Sequence, residues 1–292
     1  MTSIQRRNLT GYLFLAPYLL AFATFVVLPI GVAFALAFMQ FDLTTPDKTH
    51  FVGTQNFTEA WADVRVWDSL RATLSYTVLM VPSLVVTALA MAFGLNAMAR
   101  GRNIIRALLF VPGMLNVAVT GILWRWFYNN EFGLFNYFLR QVGLEPIPFL
   151  SDREYAMPSI VLMSLWWTLG GAAVVLLAAL QQIPKMIFEA ALLDGAGGAK
   201  LLSKITLPLL APVLLFVIVT NTIAGFQVFG QPFMLTNGGP ELTTRGLVQY
   251  IYELAFNQYR LGYGAALSWM LVSIIAVFAV VQFRLMRKGG YE

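Results

Sequence analysis

Residues 189–208 read EAALLDGAGGAKLLSKITLP, a polar island set between two long apolar segments. Ile187, Phe188, Ala191 and Leu192 have the spacing of one face of a short amphipathic helix, and Gly195, Gly197 and Gly198 break it. A second helical piece is expected to follow and to end at Pro208. A helix, a tight bend and a helix at a membrane surface form a rigid knob whose apolar face another protein could grip. On either side lie stretches without a single charge, from Glu154 to Lys185 and from Lys204 to Glu241. Each is longer than the about 20 apolar residues a helix needs to cross a bilayer core.

Four more such windows lie between Arg7 and Asp42, Arg71 and Arg100, Arg106 and Arg125, and Arg260 and Arg284. The third of the six is the shortest, and the fifth exceeds one span, so its ends are expected to run into interfacial or loop structure. The composition agrees: 59% of the 292 residues are hydrophobic and 11% charged, against about 25% charged in a soluble domain. Mean hydropathy is +0.72. The expected class is an all-α membrane protein with six transmembrane helices. The first window exceeds the apolar region of a signal peptide, about 7–15 residues, and no small-residue cleavage site closes it, so it is expected to remain as a span. Pro17, Pro29, Pro82 and Pro112 inside these windows predict kinked helices.

Charge asymmetry orients the chain. The side holding both termini and the island carries eleven Lys and Arg, among them Arg100, Arg102, Arg106, Lys185, Lys200 and Lys204, against Glu189, Asp194 and Glu292. The opposite side has eight basic and eleven acidic residues. The positive-inside rule therefore places the termini and the island in the cytoplasm. The net charge of +5 reflects topology and gives no sign of nucleic-acid binding.

None of the six windows contains Asp, Glu, Lys, Arg or His, the groups on which ion- and proton-coupled transporters rely. The windows do carry Asn116, Thr120, Ser164, Thr168, Thr220, Asn221, Thr222, Gln227 and Gln231. Trp124, Trp166, Trp167, Phe226 and Phe229 lie near them in sequence. Such a lining suits a neutral sugar or polyol, with amides and hydroxyls for its OH groups and ring faces for its C–H surfaces. The same residues also serve as interhelical glue, and Gly170, Gly171, Ala172 and Ala173 look like a close-packing patch. Trp124 and Trp126, near a span end, read as interfacial anchors.

Catalytic and metal motifs are not found. There is no cysteine, and the single His50 lies in a polar loop without a companion ligand. GAGGAK at 195–200 lacks P-loop spacing and the Ser or Thr that follows it. No paired carboxylate lies within a window. If this chain moves solute uphill, the energy must come from a partner, and the island is where that partner would dock. An ion-coupled secondary transporter of a neutral solute is the alternative, with sodium held by carbonyls alone. A membrane enzyme would have to press Glu154, Arg125 or Glu241 into service.

Glu189, Ala190, Ala191, Gly195, Ile205, Leu207 and Pro208 fall at the spacing of the cytoplasmic EAA motif. In this the chain resembles the permease subunits of binding-protein-dependent ABC importers. YLFLAPYLLAFATFVVLPIG at 12–31, LWRWFYNNEFGLFNYFL at 123–139, LTNGGPELTTRGLVQYIYELAF at 235–256 and GYGAAL at 262–267 look like its carbohydrate branch, with maltose-type and glycerol-phosphate-type permeases the nearest.

The resemblance implies a type I ABC importer permease fold, one transmembrane domain over residues 1–292 with a coupling loop at about 185–208. It implies that Glu189, Ala190, Ala191, Asp194 and Gly195 enter a cleft of the ATPase, with Ile205, Leu207 and Pro208 completing the motif. Ala199 departs from relatives that carry an aromatic residue there. It also implies sugar-contacting positions at Gly113, Val117, Ser164, Trp167, Thr168, Asn221 and Gly225, beside Asn116 from the residue reading. Further implied are a homologous permease subunit, two ATPase subunits that bind ATP and Mg, and an extracytoplasmic solute-binding protein. The chain itself would sit in membrane lipid, bind no cofactor and catalyse no reaction. The setting would be a bacterial inner membrane and the cargo a carbohydrate or glycerol phosphate.

Overall fold

The computed structural model describes residues 3–98 and 100–289; Glu292, counted among the acidic residues above, lies outside them. The chain is helical nearly throughout. Helix α1 (Ser3–Phe22) passes through a π-turn (Ala23–Val27) into α2 (Leu28–Leu36). Strands β1 (Met39–Gln40) and β2 (His50–Phe51) pair antiparallel, Met39 opposite Phe51, and α3 (Gln55–Ala62) follows. Next come α4 (Val64–Ala97), α5 (Arg102–Phe110), α6 (Val117–Phe127), α7 (Leu134–Gln141) and α8 (Arg153–Gln182). The island contains α9 (Lys185–Leu193) and α10 (Ala199–Leu201). The chain closes with α11 (Leu207–Phe226), α12 (Gly230–Thr236), α13 (Leu247–Tyr252) and α14 (Leu261–Gly289).

Five stretches are long and apolar enough to cross a bilayer: Phe14–Leu36, Val64–Ala97, Arg153–Gln182, Ala199–Phe226 and Leu261–Leu285. The sixth window is a pair, Arg102–Met114 and Val117–Phe127, bent by 101°. Pro112 cannot donate to the helical ladder and sits in a 3₁₀ turn (Val111–Met114), where α5 stops. Asn116 then starts α6 as its N-cap, its Oδ1 accepting the Ala118 N–H at 2.8 Å. Pro17 and Pro82, in contrast, stay inside continuous helices.

The expected end at Pro208 is corrected. Pro208 lies in the first turn of α11, after a π-turn (Leu202–Thr206) that joins α10 to α11 without a break. The ring of a proline crowds the carbonyl four residues back. Here the Leu207 N–H reaches back to the Leu202 carbonyl, opening the turn by one residue. Thr206 Oγ1 donates to the Leu201 carbonyl at 3.0 Å and so satisfies a group the wide turn leaves over. A π-turn also precedes Pro29.

Contacts divide the chain into two compact units. The first joins residues up to Val64 with Ile251–Val272. In it, buried Asn56 donates through Nδ2 to the Ala37 and Met39 carbonyls at 2.9 and 3.0 Å, and Arg260 grips both Glu59 oxygens at 2.7 and 2.8 Å. The second unit holds Arg65–Tyr250 and the chain from Ser273 on. Its core has two parts. An aromatic cluster gathers Tyr76 and Met80 of α4, Trp124 of α6 and Tyr128 at its end, Ile160 and Met163 of α8, and Leu235 of α12. A small-residue cluster sets Ala88, Ala92 and Leu95 of α4 against Ala173, Leu176 and Leu177 of α8 and Val217 of α11. Lipid tails are as apolar as these side chains, so close van der Waals packing holds such helices together. Of the expected patch, Gly170 meets the backbone of Leu109 and Phe110, whereas Gly171 faces open space.

Trp124 corrects the anchor reading. It is buried, with ring contacts to Phe127, Tyr128, Phe135 and Trp166, and only Trp126 is exposed. The Tyr128 hydroxyl donates to the Ser159 carbonyl at 2.8 Å, and burial pushes this phenol up from its ordinary pKa.

Candidate functional site: the polar loop and the interior hydroxyls

The island is one structured loop. Helix α9 ends at Asp194, and Gly195 takes a left-handed φ of +76°. The Gly195 N–H donates to the Leu192 carbonyl at 3.1 Å, and the Ala196 N–H to the Ala191 carbonyl at 2.9 Å. These two bonds are the Schellman closure of a helix C-terminus, which is why glycine stands at 195. A second left-handed glycine, Gly198 at +50°, turns the chain into α10.

The apolar face of α9 differs from the expected one. Ala191 is buried and Phe188 half-buried, whereas Leu192 is exposed and Leu193, at the tip, is 90% exposed, with Met186 beside them at 75%. Glu189, Ala190, Asp194 and Gly195 are exposed, Ile205 and Leu207 are half-buried, and Pro208 is exposed. Among the described residues the loop thus presents an acidic group and an apolar tip on a closed backbone.

The interior candidates fall in three places. At the bend between α5 and α6, Gly113 and Asn116 are exposed, and Trp167 of α8 donates through Nε1 to the Leu115 carbonyl at 3.1 Å. A Cβ on Gly113 would stand 3.2 Å from the Trp167 carbonyl oxygen, so the bend and α8 touch here. Val117 packs against Gly230 of α12. On α8, Ser164 is fully buried and its Oγ donates to the Ile160 carbonyl at 2.8 Å; half-buried Thr168 does the same to the Ser164 carbonyl at 2.8 Å. On α11, half-buried Asn221 donates through Nδ2 to the Val217 carbonyl at 2.8 Å, and buried Gly225 lies against the Thr77 side chain.

Bonds to the carbonyl four residues back are the habitual resting state of Ser and Thr in membrane helices. They leave the hydroxyl oxygen able to accept. Gln282 of α14 escaped the sequence reading, although it stands in a charge-free window like the others. Its amide donates to Thr222 Oγ1 at 2.9 Å, and its Oε1 is buried without a hydrogen-bond partner among the described residues.

Comparison with known proteins places the chain as a whole. A trehalose/maltose transport system permease of Thermococcus litoralis is 33% identical over 95% of this chain and 93% of its own length. A sulfoquinovosyl glycerol transport system permease of Agrobacterium fabrum is 31% identical over 96% and 91%. An sn-glycerol-3-phosphate transport system permease of Brucella abortus is 34% identical over 95% and 94%. In fold, the chain matches a bacterial ABC transporter involved in alginate import, with a TM-score of 0.85, 21% identity and coverage of 97% of this chain and 96% of that one. The resemblance to carbohydrate-branch ABC permeases agrees with these relatives. Residues 61–288 match the model of one family over most of the chain, and the protein therefore belongs to the inner membrane components of binding-protein-dependent transport systems.

Proposed function

We propose that this chain is the transmembrane subunit of an ATP-driven importer. It passes a sugar or related polyol from an extracytoplasmic binding protein to the cytoplasm by alternating access, as one domain paired with a homologous permease. The termini and the 185–208 loop face the cytoplasm of a bacterial inner membrane, as the excess of Lys and Arg on that side supports. ATP and Mg²⁺ belong to two partner ATPase subunits, and this chain catalyses nothing.

The observation that carries the reading is the loop. Its backbone is locked by the Gly195 closure, and it projects Leu193 into open space beside Glu189. Met186, Leu192 and Leu193, exposed together on one short helix, suit a docking element, because covering them removes apolar surface from water without ordering a flexible segment. Glu189, Ala190, Ala191, Asp194 and Gly195 would contact the ATPase, with Ile205, Leu207 and Pro208 setting the return into α11. With Ala199 in place of an aromatic residue, Met186 and Leu193 supply the apolar contact on this side of the loop. Closing of the ATPases would then pull paired loops together and rock the bundles.

Expression with the neighbouring subunits tests this. The chain should co-purify with an ATPase whose hydrolysis rises when the loaded solute-binding protein is added. A preparation that transports solute with no ATPase bound would overturn the proposal. Replacing Leu193 by Asp should cut co-purification at least tenfold while leaving the fold intact, since that side chain is 90% exposed.

For the passage, Gly113, Asn116, Val117, Trp167, Thr168 and Asn221 are the proposed contacts, whereas Ser164 and Gly225 are enclosed by the chain itself; the relatives named above support a carbohydrate or glycerol-phosphate class. Asn221→Leu is the informative variant. It removes an amide from a half-buried position on α11, so uptake should fall severalfold with the complex still assembled. Unchanged uptake would take Asn221 out of the path, and loss of the complex would assign it to packing. Ser164→Leu would instead overfill an enclosed site, at about 1–3 kcal/mol, and would report on assembly.

A further inference from the structure

Helix α7 and the segment after it form a feature that the transport reading does not use. α7 carries LFNYFLRQ and leads through Val142–Leu144 to the PIPFL stretch before α8. Buried Asn136 ties the two limbs together. Its Nδ2 donates to the Ile147 carbonyl at 3.0 Å, and its Oδ1 accepts the Ile147 N–H at 2.8 Å. The limbs enclose a groove of about 410 Å³ lined by apolar side chains alone. Phe135 and Phe149 form part of its floor and are fixed by ring contacts with Tyr128 in the aromatic core. Phe138, Val142 and Leu162 are 58%, 71% and 49% exposed.

The position of Leu162 decides what covers the groove. α8 has 30 residues, about 45 Å of helix, against a hydrocarbon core of about 30 Å. Roughly 7 Å at each end then lies in the interface. Leu162 comes nine residues after Arg153, about 13 Å down the axis, and so stands at hydrocarbon depth. The groove is thus continuous with an exposed apolar surface of a span, while α7 lies near the start of that span, where interfacial helices lie. Arg140 by the rim donates to the Glu131 and Asn130 carbonyls at 2.6 and 2.8 Å, so its guanidinium is engaged with the loop.

We infer that this groove is a binding site for one acyl chain of a membrane phospholipid, entered from the bilayer along α8. Recognition is by the tail. The groove offers no polar side chain to a headgroup.

The test uses the complete importer in phosphatidylcholine vesicles doped with a phosphatidylcholine bearing a diazirine on one acyl chain. After photolysis, label on residues 135–149 should exceed that at Val175, an exposed apolar residue of the same helix, at least fivefold. Val142→Glu changes a side chain already in the open, so the protein should still fold and assemble. It should lower the groove label at least fivefold and spare Val175. Native mass spectrometry of the solubilised complex should find a phospholipid retained by the wild type and lost in the variant. Equal labelling at the groove and Val175 would overturn the inference. So would loss of groove label on adding the solute-binding protein, since the occupant would then be protein.

Discussion

Replacing Gly170 by Ala is expected to destabilise the assembled protein by about 3 kcal/mol, while the same change one residue on, Gly171→Ala, leaves it unharmed. A Cβ at 170 would collide with the Leu109 carbonyl and the Phe110 backbone on the neighbouring helix. The obstacle is main chain, so no rotamer change relieves it, and α5 must move away from α8. That is the upper end of what overfilling a packed core costs. At 171 nothing lies within 4 Å, and alanine improves helix propensity by up to about 1 kcal/mol. Thermal unfolding of the two variants in the same detergent checks this. Equal midpoints would mean that α5 and α8 do not approach as closely as the structure places them.

Gly195→Val should reduce solute uptake about tenfold or more without reducing the amount of protein in the membrane. The left-handed conformation at 195 costs a residue with a Cβ roughly 1–2 kcal/mol, a factor of about 5–30 in the population of the closed loop. A β-branched side chain stands at the worse end. Apart from the adjoining residues, nothing among the described residues lies within 4 Å of a Cβ built at 195, so there is room for a side chain. Gly195→Asn separates the causes. Asparagine tolerates the left-handed region better than alanine does but is larger. If backbone strain is the cause, Asn transports better than Ala; if crowding at a docked surface is the cause, Ala transports better than Asn. Wild-type uptake in the Val variant would mean that the Gly195 closure has no part in transport.

Much of the fold could be read from charge alone. Five of the charge-free windows correspond to long apolar helices because excluding charge from about 20 residues is a demand of the bilayer. The third window was legible as short, but not as a right-angled pair. That geometry needs Pro112 to stop one helix and Asn116 to cap the next, two local events with no apolar signature. Trp124 was misread for a related reason. Proximity to a span end is a sequence property, whereas its enclosure by Phe127, Phe135 and Trp166 comes from three separate segments.

The loop was legible as helix, bend and helix because glycine clusters mark left-handed turns. Which side of α9 is exposed was not legible, since Ile187, Phe188, Ala191, Leu192 and Leu193 are all apolar. For the passage, residue types could be chosen but their engagement could not. Ser164 and Thr168 both bond within α8, and only coordinates distinguish the buried one from the half-buried one.

The wide turn at Leu202–Thr206 also sets the phase of everything after it. A helix rotates about 100° per residue, so one surplus residue in a single turn offsets every later side chain by that angle from the course α10 began. The faces on which α11 carries Asn221 and Gly225 are therefore fixed beside the polar loop, several turns away along the same rod. Pro208 has no N–H with which to restore the regular bond to the carbonyl four residues back. The orientation of the far end of this helix is thus set one turn before Pro208, at its near end.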